Sequence, residues 1–321
     1  MRHFLWPQVR APRSAPIKLP GARVGPMHLH QIEYFLAVVD NNGINAAATA
    51  LGLAQPTVSQ AIRGLERELG VELFHRIGRG MVLTSAGHSL VGPARRVLRG
   101  VVAAEGSVLD VAGRPRGRLD IVAMAALSVD PVARLVGAFR QEFPAVSIRI
   151  ADLRDEWAGT ALIRDGHCEI LVCHLPRPDS EDLAVCELGV QDWWLVFPPG
   201  ADVPPDDPLP LSALPDDPHV VVPRGGSQAG EIEQAVATAG RVIRPSVVVE
   251  HREARLPLVL AGVGATFLER TMAEASVARG AVARATEPRI SRAYGLIYDP
   301  SVLSPAGQAF VELARSSAPH G

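Results

Sequence analysis

The sequence is poor in groups that usually carry covalent or metal chemistry. Its three cysteines, Cys168, Cys173 and Cys186, form an odd set without metal-ligand spacing. That excludes a disulfide framework and a zinc site of the usual kind. It fits buried thiols in a reducing compartment, with a thiol-based redox sensor as an alternative use. No run reaches the roughly 18 apolar residues of a membrane span. The N-terminal residues are basic but lack the apolar core of a secretory signal. A cytoplasmic protein without a membrane partner is the expectation. There is no G-x-S-x-G, no phosphate loop and no H-E-x-x-H, so nothing points to an enzyme, and no metal or cofactor is expected. Lysine is nearly missing: Lys18 stands alone, and every other basic side chain is arginine.

What is present is enough apolar material for two domains. The chain has 321 residues, 47% of them hydrophobic. Its net charge of −2 hides an asymmetry. Residues 1–118 hold fifteen Lys/Arg against seven Asp/Glu, and the remainder holds seventeen against twenty-seven. A basic third on an acidic body points to a polyanion partner at one end only.

Residues 1–26 are rich in Pro and Arg and show no periodicity, the composition of a disordered tail. Periodic structure begins at Met27, which is the expected start of the working protein. Ile32, Phe35, Leu36 and Val39 share one helical face, ended by Asn41-Asn42-Gly43. Asn45 is placed to cap a helix over 46–51, which Gly52 breaks. Pro56 suits the first turn of the next helix, where its missing N–H has no partner to lose. Val58, Ile62, Leu65 and Leu69 form the apolar stripe of that helix, and Gly70 stops it. Two short apolar runs around Arg76-Ile77-Gly78-Arg79-Gly80 read as a β-hairpin with a basic tip. From Ser85 to Ala112 a long helix is expected, with Pro93 inside it as a kink site. Leu90, Ala94, Val97, Val101, Ala104 and Val108 alternate by four and three, the spacing of a dimerisation seam. Beyond the "GRPRGR" linker, strand-like and helix-like segments alternate to the C-terminus. This α/β texture implies parallel βα units.

The stretch "AAATALGLAQPTVSQAIRGLERELG", residues 46–70, matches a helix-turn-helix, whose second helix enters the DNA major groove. With the apolar stripe turned inward, Gln55, Thr57, Ser59, Gln60, Arg63 and Arg67 remain outside. Gln and Arg can bond base edges bidentately, while Thr, Ser and helix N–H groups suit phosphates. A plain amphipathic helix with a solvated face explains this stretch alone equally well. The basic hairpin favours DNA.

The run from "HQIEYFLAVVDNNG" through "LGLAQPTVSQAIRGLERELGVELFHRIGRGMVLTSAGHSL" resembles the N-terminal region of LysR-type bacterial transcriptional regulators, in order and spacing. The likeness continues, more weakly, to about residue 315 through "GRLDI", "DGHCEILV" and "LAGVGATFLE". The resemblance implies a winged helix-turn-helix at 27–84 and a dimerising linker helix at 85–117. It implies a periplasmic-binding-protein-like α/β domain at 118–315, followed by a short tail at 316–321. Lobe I of that domain would be 118–175 with 268–315, and lobe II 176–267. The family's DNA-reading positions fall on Gln55, Pro56, Thr57, Ser59, Gln60 and Arg63, with wing positions Arg76 and Arg79. Gln60 and Gly64 replace basic residues that are common there.

Further implied partners are promoter DNA, a small-molecule effector, copies of the chain as dimer or tetramer, and RNA polymerase. The effector would lie between the lobes. The turn that usually offers hydroxyls reads "AMAALS", which leaves Ala126 and Ser128. Arg224, Gly226 and Ser227, and His251 with Arg252, precede helices whose N-termini favour anions. Each also has a plain reading as a turn, a cap or a solvated residue. A DNA-binding protein with no effector is the remaining alternative.

Overall fold

The computed structural model describes residues 27–77, 80–107, 115–153, 158–223 and 227–318. The expected tail at 1–26, the wing tip Gly78-Arg79, Val108, and Arg224 with Gly226 lie outside them. The chain divides into two compact units between Leu90 and Val91.

The first unit holds α1 (Leu29–Asp40), α2 (Ile44–Leu51), α3 (Gln55–Leu69), β1 (Phe74–Ile77) and β2 (Gly80–Leu83). The apolar stripes converge: Phe35, Ala47, Val58 and Leu65 are fully buried. Phe74 brings the hairpin onto this core, its ring 5.4 Å from that of Phe35. Gly52, with φ +67°, ends α2 in the left-handed region, where glycine meets no Cβ penalty. Asn45 does not cap α2. The helix begins two residues earlier than expected, at Ile44 with Gly43 at its N-cap, so Asn45 lies within the first turn.

The "LTSAG" run has a local physical cause. Thr84 Oγ1 accepts from the Gly87 amide at 2.9 Å and donates to the Glu72 carbonyl at 2.7 Å, tying the start of α4 (Ser85–Ser107) to the hairpin. A Cβ on Gly87 would stand 2.2 Å from the Leu73 carbonyl oxygen, so only glycine fits.

The second unit continues with β3 (Gly117–Ala123), α5 (Ala125–Leu127), α6 (Ala133–Glu142), β4 (Val146–Asp152), α7 (Gly159–Arg164) and β5 (Ile170–His174). Then come β6 (Ala184–Phe197), β7 (Leu209–Pro210), β8 (Pro218–Val221), α8 (Ser227–Thr238), β9 (Arg244–Val248) and α9 (Arg255–Leu260). The last elements are β10 (Thr266–Glu269), α10 (Arg270–Val277), β11 (Val282–Arg284), β12 (Thr286–Glu287), β13 (Ile290–Tyr298) and α11 (Pro305–Ser317).

A seven-stranded sheet runs β10-β6-β13-β5-β3-β4, with β11 also on β6. β3, β4 and β5 are parallel, but β6 and β13 are antiparallel to their neighbours. The sheet is therefore mixed, not the uninterrupted parallel array that the alternation implies. β5 is buried at every position, as a central strand covered on both faces must be.

Two long strands pass from one lobe to the other. Lobe I packs Leu119, Ile121, Phe139, Val172, Leu296 and Phe310 into one core. Lobe II has two cores, one around Trp193, Phe197, Val236 and Phe267, the other around Val196, Val259, Leu268 and Ala273. Leu268 and Ala273 thus belong to lobe II. The return crossing lies on β13, where the register shifts between Tyr294 and Gly295, rather than at the expected boundary near 268. The first crossing is displaced likewise, because Cys186 and Leu188 of β6 still pack in lobe I. A Cβ on Gly295 would stand 2.3 Å from the Cys186 carbonyl oxygen, so the irregularity requires glycine.

Candidate functional site

On α3 the side chains sort by exposure as the stripe demands. Gln55, Pro56, Thr57, Gln60, Arg63 and Arg67 are exposed, and Val58, Ile62 and Leu65 are buried. Ser59 departs from expectation: it is 8% exposed and turned inward beside Val58. Its hydroxyl is not presented to a partner. Helical spacing sets it about a quarter-turn from the 58, 62, 65 stripe, at the flank of the buried face.

No carboxylate occupies the first turn of α3. Its positive dipole end therefore carries no competing anion, the arrangement that favours an anionic group. The Arg67 Nε donates to the Arg63 carbonyl at 3.2 Å, which lays one arginine along the helix behind the other. Glu66 is engaged elsewhere: its Oε1 accepts from the Leu73 amide at 2.9 Å. Arg76 lies on β1, with its side chain outside the described residues, as Arg79 is altogether.

On α4 the expected seam is divided. Ala94 is buried within its own chain, Leu90 and Val101 are half-buried, and Ala104 is exposed. Val97 is 42% exposed. Another face of the helix is already docked. The Arg99 Nη1 donates to the Cys168 carbonyl at 2.7 Å, and the Arg96 guanidinium donates to the Arg164 carbonyl at the end of α7. Gly166 makes room: a Cβ there would stand 3.0 Å from the Arg95 Cβ. Burial of Arg99 lowers its pKa, and Glu169 opposes that shift.

Between the lobes lies a cleft of 390 Å3. Its walls come from the turn after β3 (Ala126, Val129, Asp130), the crossing strands (Val190, Asp192, Tyr294) and the start of α10 (Arg270, Thr271). Three ion pairs line it. Arg134 Nε meets Asp130 Oδ1 at 2.6 Å, Arg289 Nε meets Asp192 Oδ1 at 2.5 Å, and Arg270 Nε meets Glu274 Oε1 at 2.7 Å. In the first two, the carboxylate is the more buried partner. Asp130 and Asp192 side chains are 29% and 9% exposed, against 71% and 64% for Arg134 and Arg289. The inner wall is therefore acceptor-rich, and guanidinium groups reach the rim.

Thr271 Oγ1 donates to Asp130 Oδ2 at 2.9 Å, a bond across the cleft between residues 141 apart in sequence. Burial raises the Tyr294 pKa, and the nearby Asp130 raises it further, so the phenol stays protonated at neutral pH.

Of the expected effector residues whose side chains are described, Ala126 lines this cleft, and Ser128, His251 and Arg252 do not. Ser128 is half-buried, and its Oγ donates to the Met124 carbonyl at 3.2 Å, within its own turn. Ser227 opens α8, with its side chain outside the described residues. His251 is exposed beside Glu253, and Arg252 is half-buried. Neither is among the residues lining the cleft.

The three thiols are buried. Burial pushes the Cys168 thiol up to about 12. Cys173 on β5 and Cys186 on β6 are separated by β13. Two strand spacings of ~4.8 Å exceed the ~7 Å Cα limit for a disulfide. Among the described residues, no His/Cys/Asp/Glu cluster could hold a metal, and no helix is long and apolar enough to cross a membrane.

A winged helix-turn-helix and a two-lobed α/β cleft domain in one chain define a DNA-binding regulator with a built-in ligand-type domain. Residues 29–88 match the model of the bacterial regulatory helix-turn-helix protein, lysR family, and residues 112–319 that of the LysR substrate binding domain. The chain belongs to the LysR family of bacterial transcriptional regulators.

Among its relatives, the regulator TfdS of Cupriavidus pinatubonensis is 30% identical over 77% of this chain and 84% of that one. PtxR of Pseudomonas aeruginosa is 29% identical over 82% and 83%. The fold matches that of a full-length OxyR cysteine variant from Pseudomonas aeruginosa, with a TM-score of 0.68, 19% identity and coverage of 91% and 99%. It also matches CbnR solved with its target DNA, with a TM-score of 0.63, 23% identity and coverage of 91% and 100%.

Proposed function

We propose that the chain is a sequence-specific, cytoplasmic transcriptional regulator that binds promoter DNA through α3 and responds to a small molecule taken up between its lobes. The observation that carries the DNA half is the exposed Gln55-Pro56-Thr57, Gln60, Arg63 face with no carboxylate in its first turn. The cleft supports the effector half. It is lined from both lobes and bridged by the Thr271–Asp130 hydroxyl–carboxylate bond, so a ligand there would bias the lobe arrangement. The acceptor-rich inner wall and guanidinium rim suit a ligand with both donors and an anionic group, rather than a simple carboxylate held by hydroxyls.

A working dimer would bury the exposed Val97 edge of α4 and place two recognition helices on successive half-sites. The whole family assembly, with its promoter DNA and RNA polymerase contact, is part of this reading. The redox alternative finds no support in the thiol geometry. Relatives that are regulators support a non-enzymatic role.

Footprinting on the DNA upstream of the gene and its neighbours tests the reading. A protected pseudo-palindrome is the expected result, and uniform binding to every fragment would contradict it.

A further inference from the structure

Gln31 of α1 and Glu68 of α3 meet between the two helices. Gln31 is 5% exposed. Its Oε1 accepts from the His28 amide at 2.7 Å, which closes the first turn of α1. Its Nε2 donates to Glu68 Oε1, in the last turn of α3, at 3.1 Å. Gly64 makes room for that amide, since a Cβ at 64 would stand 3.1 Å from the Gln31 Nε2. One amide group therefore lies across one turn of α3, between Gly64 and Glu68. Glu68 is half-buried, and its other oxygen, Oε2, has no hydrogen-bond partner among the described residues.

Such a carboxylate adds little to stability, because the desolvation of its unanswered oxygen offsets its bond to Gln31. What the pair supplies is direction. Val58, Ile62 and Leu65 hold α3 to the core by apolar contact, which is non-directional and tolerates a small rotation or slide of the helix. A hydrogen bond weakens steeply as its angle closes. Glu66 makes a second directional bond from the same helix, to the Leu73 amide just before β1.

We infer that Gln31 is a positioning residue for sequence reading: through Glu68 it fixes the rotation of α3 against α1, and so sets where Gln60 and Arg63 stand over the bases. Gly64 follows Arg63 directly and lies one turn after Gln60, so a shift of the helix at the amide is carried to both. This role rests on the α3 face being the surface that reads DNA.

The test uses the full chain and a duplex that it selects from a random-sequence pool, with a scrambled duplex of the same composition as reference. The readouts are the ratio of the two affinities and the urea midpoint. Glu68→Met removes the acceptor together with the unanswered oxygen. It is expected to keep the midpoint and to lower the ratio about tenfold, the size of one lost base contact. Gln31→Glu sets two carboxylates against each other and should lower the ratio likewise. Adding Glu68→Gln to it exchanges acid and amide: the carboxylate now at 31 accepts from the His28 amide and from the amide now at 68, and the ratio should recover. Changes of charge act on both duplexes alike and cancel in the ratio. A purely structural pair would lower the midpoint and leave the ratio alone. A ratio unmoved by Glu68→Met, or not recovered by the exchange, would overturn the assignment; Glu68→Met decides alone if Gln31→Glu does not fold. A pool that yields no preferred duplex would instead overturn the reading of α3 itself, and the positioning role with it.

Discussion

Helix α3 and the interlobe cleft are both built from Arg, Gln, Thr and carboxylates, but they use them differently. On α3 the exposed Gln60, Arg63 and Arg67 belong to one helix, and the first turn has no acid to neutralise them. In the cleft, Arg134, Arg270 and Arg289 each hold a carboxylate. On the first surface no acid occupies the first turn, and Glu66 and Glu72 lie only toward the far end of the helix beside Arg63 and Arg67. The second is pre-paired, so a guest must exchange with existing contacts. Long-range attraction suits the first, and discrimination among small molecules suits the second.

The largest effect that would sharpen this comparison concerns pairing itself. Arg255 and Glu269 form an ion pair with both side chains almost fully buried. Arg255→Met leaves the Glu269 charge uncompensated and should cost lobe II about 3–5 kcal/mol. Urea unfolding followed by the fluorescence of buried Trp193 should show it, with the helix-turn-helix unit unaffected. An unchanged midpoint would mean that pairing is not what holds the lobe.

Next in size, Val97→Asp with Val101→Asp should disrupt dimerisation by several kcal/mol, through carboxylates buried in the seam. Light scattering should report a monomer whose circular dichroism is unchanged. A mass still that of the dimer would place the seam elsewhere.

Across the cleft, Thr271→Ala removes the bond to Asp130 and should cost about 0.5–1.5 kcal/mol. Hydrogen exchange at the start of α10 should rise several-fold; no change would deny the bond any part in holding the lobes.

The smallest effect is on pH dependence. His219 is held neutral, with its pKa lowered in the folded state. As pH falls through the unfolded value of about 6.5, only the unfolded ring gains a proton, so stability falls. His219→Gln should flatten the difference in urea midpoint between about pH 7.5 and about pH 5.5. An equal slope in both proteins would locate the dependence in other groups.

The same contrast explains what was legible in the sequence. The helix-turn-helix could be read because its determinants are local: Gly52, Pro56 and Gly70 mark boundaries, and Val58, Ile62 and Leu65 mark the inner face. Ser59 differs from the expected outward position: it sits at the flank of the stripe, where spacing alone does not decide burial, and is 8% exposed.

The βα alternation was also visible, but strand direction was not. β6 and β13 run antiparallel to their partners although helices such as α8 and α9 lie between them in the chain, so the alternation of strand and helix does not fix strand direction. The second lobe crossing was missed for the same reason, since β13 changes lobe within one continuous strand. The cleft residues Asp130, Asp192, Thr271, Arg289 and Tyr294 carry no local motif. Only the folded sheet brings them together. Ala126 was found through the resemblance and not through its own chemistry.

The most direct measurement is the affinity of Arg63→Ala for operator and for scrambled DNA, titrated at several salt concentrations. If the α3 face reads bases, operator binding weakens by about 1–3 kcal/mol while scrambled DNA is bound as before. Equal weakening on both DNAs, with a reduced salt slope, would show Arg63 to be a phosphate contact and would contradict the account.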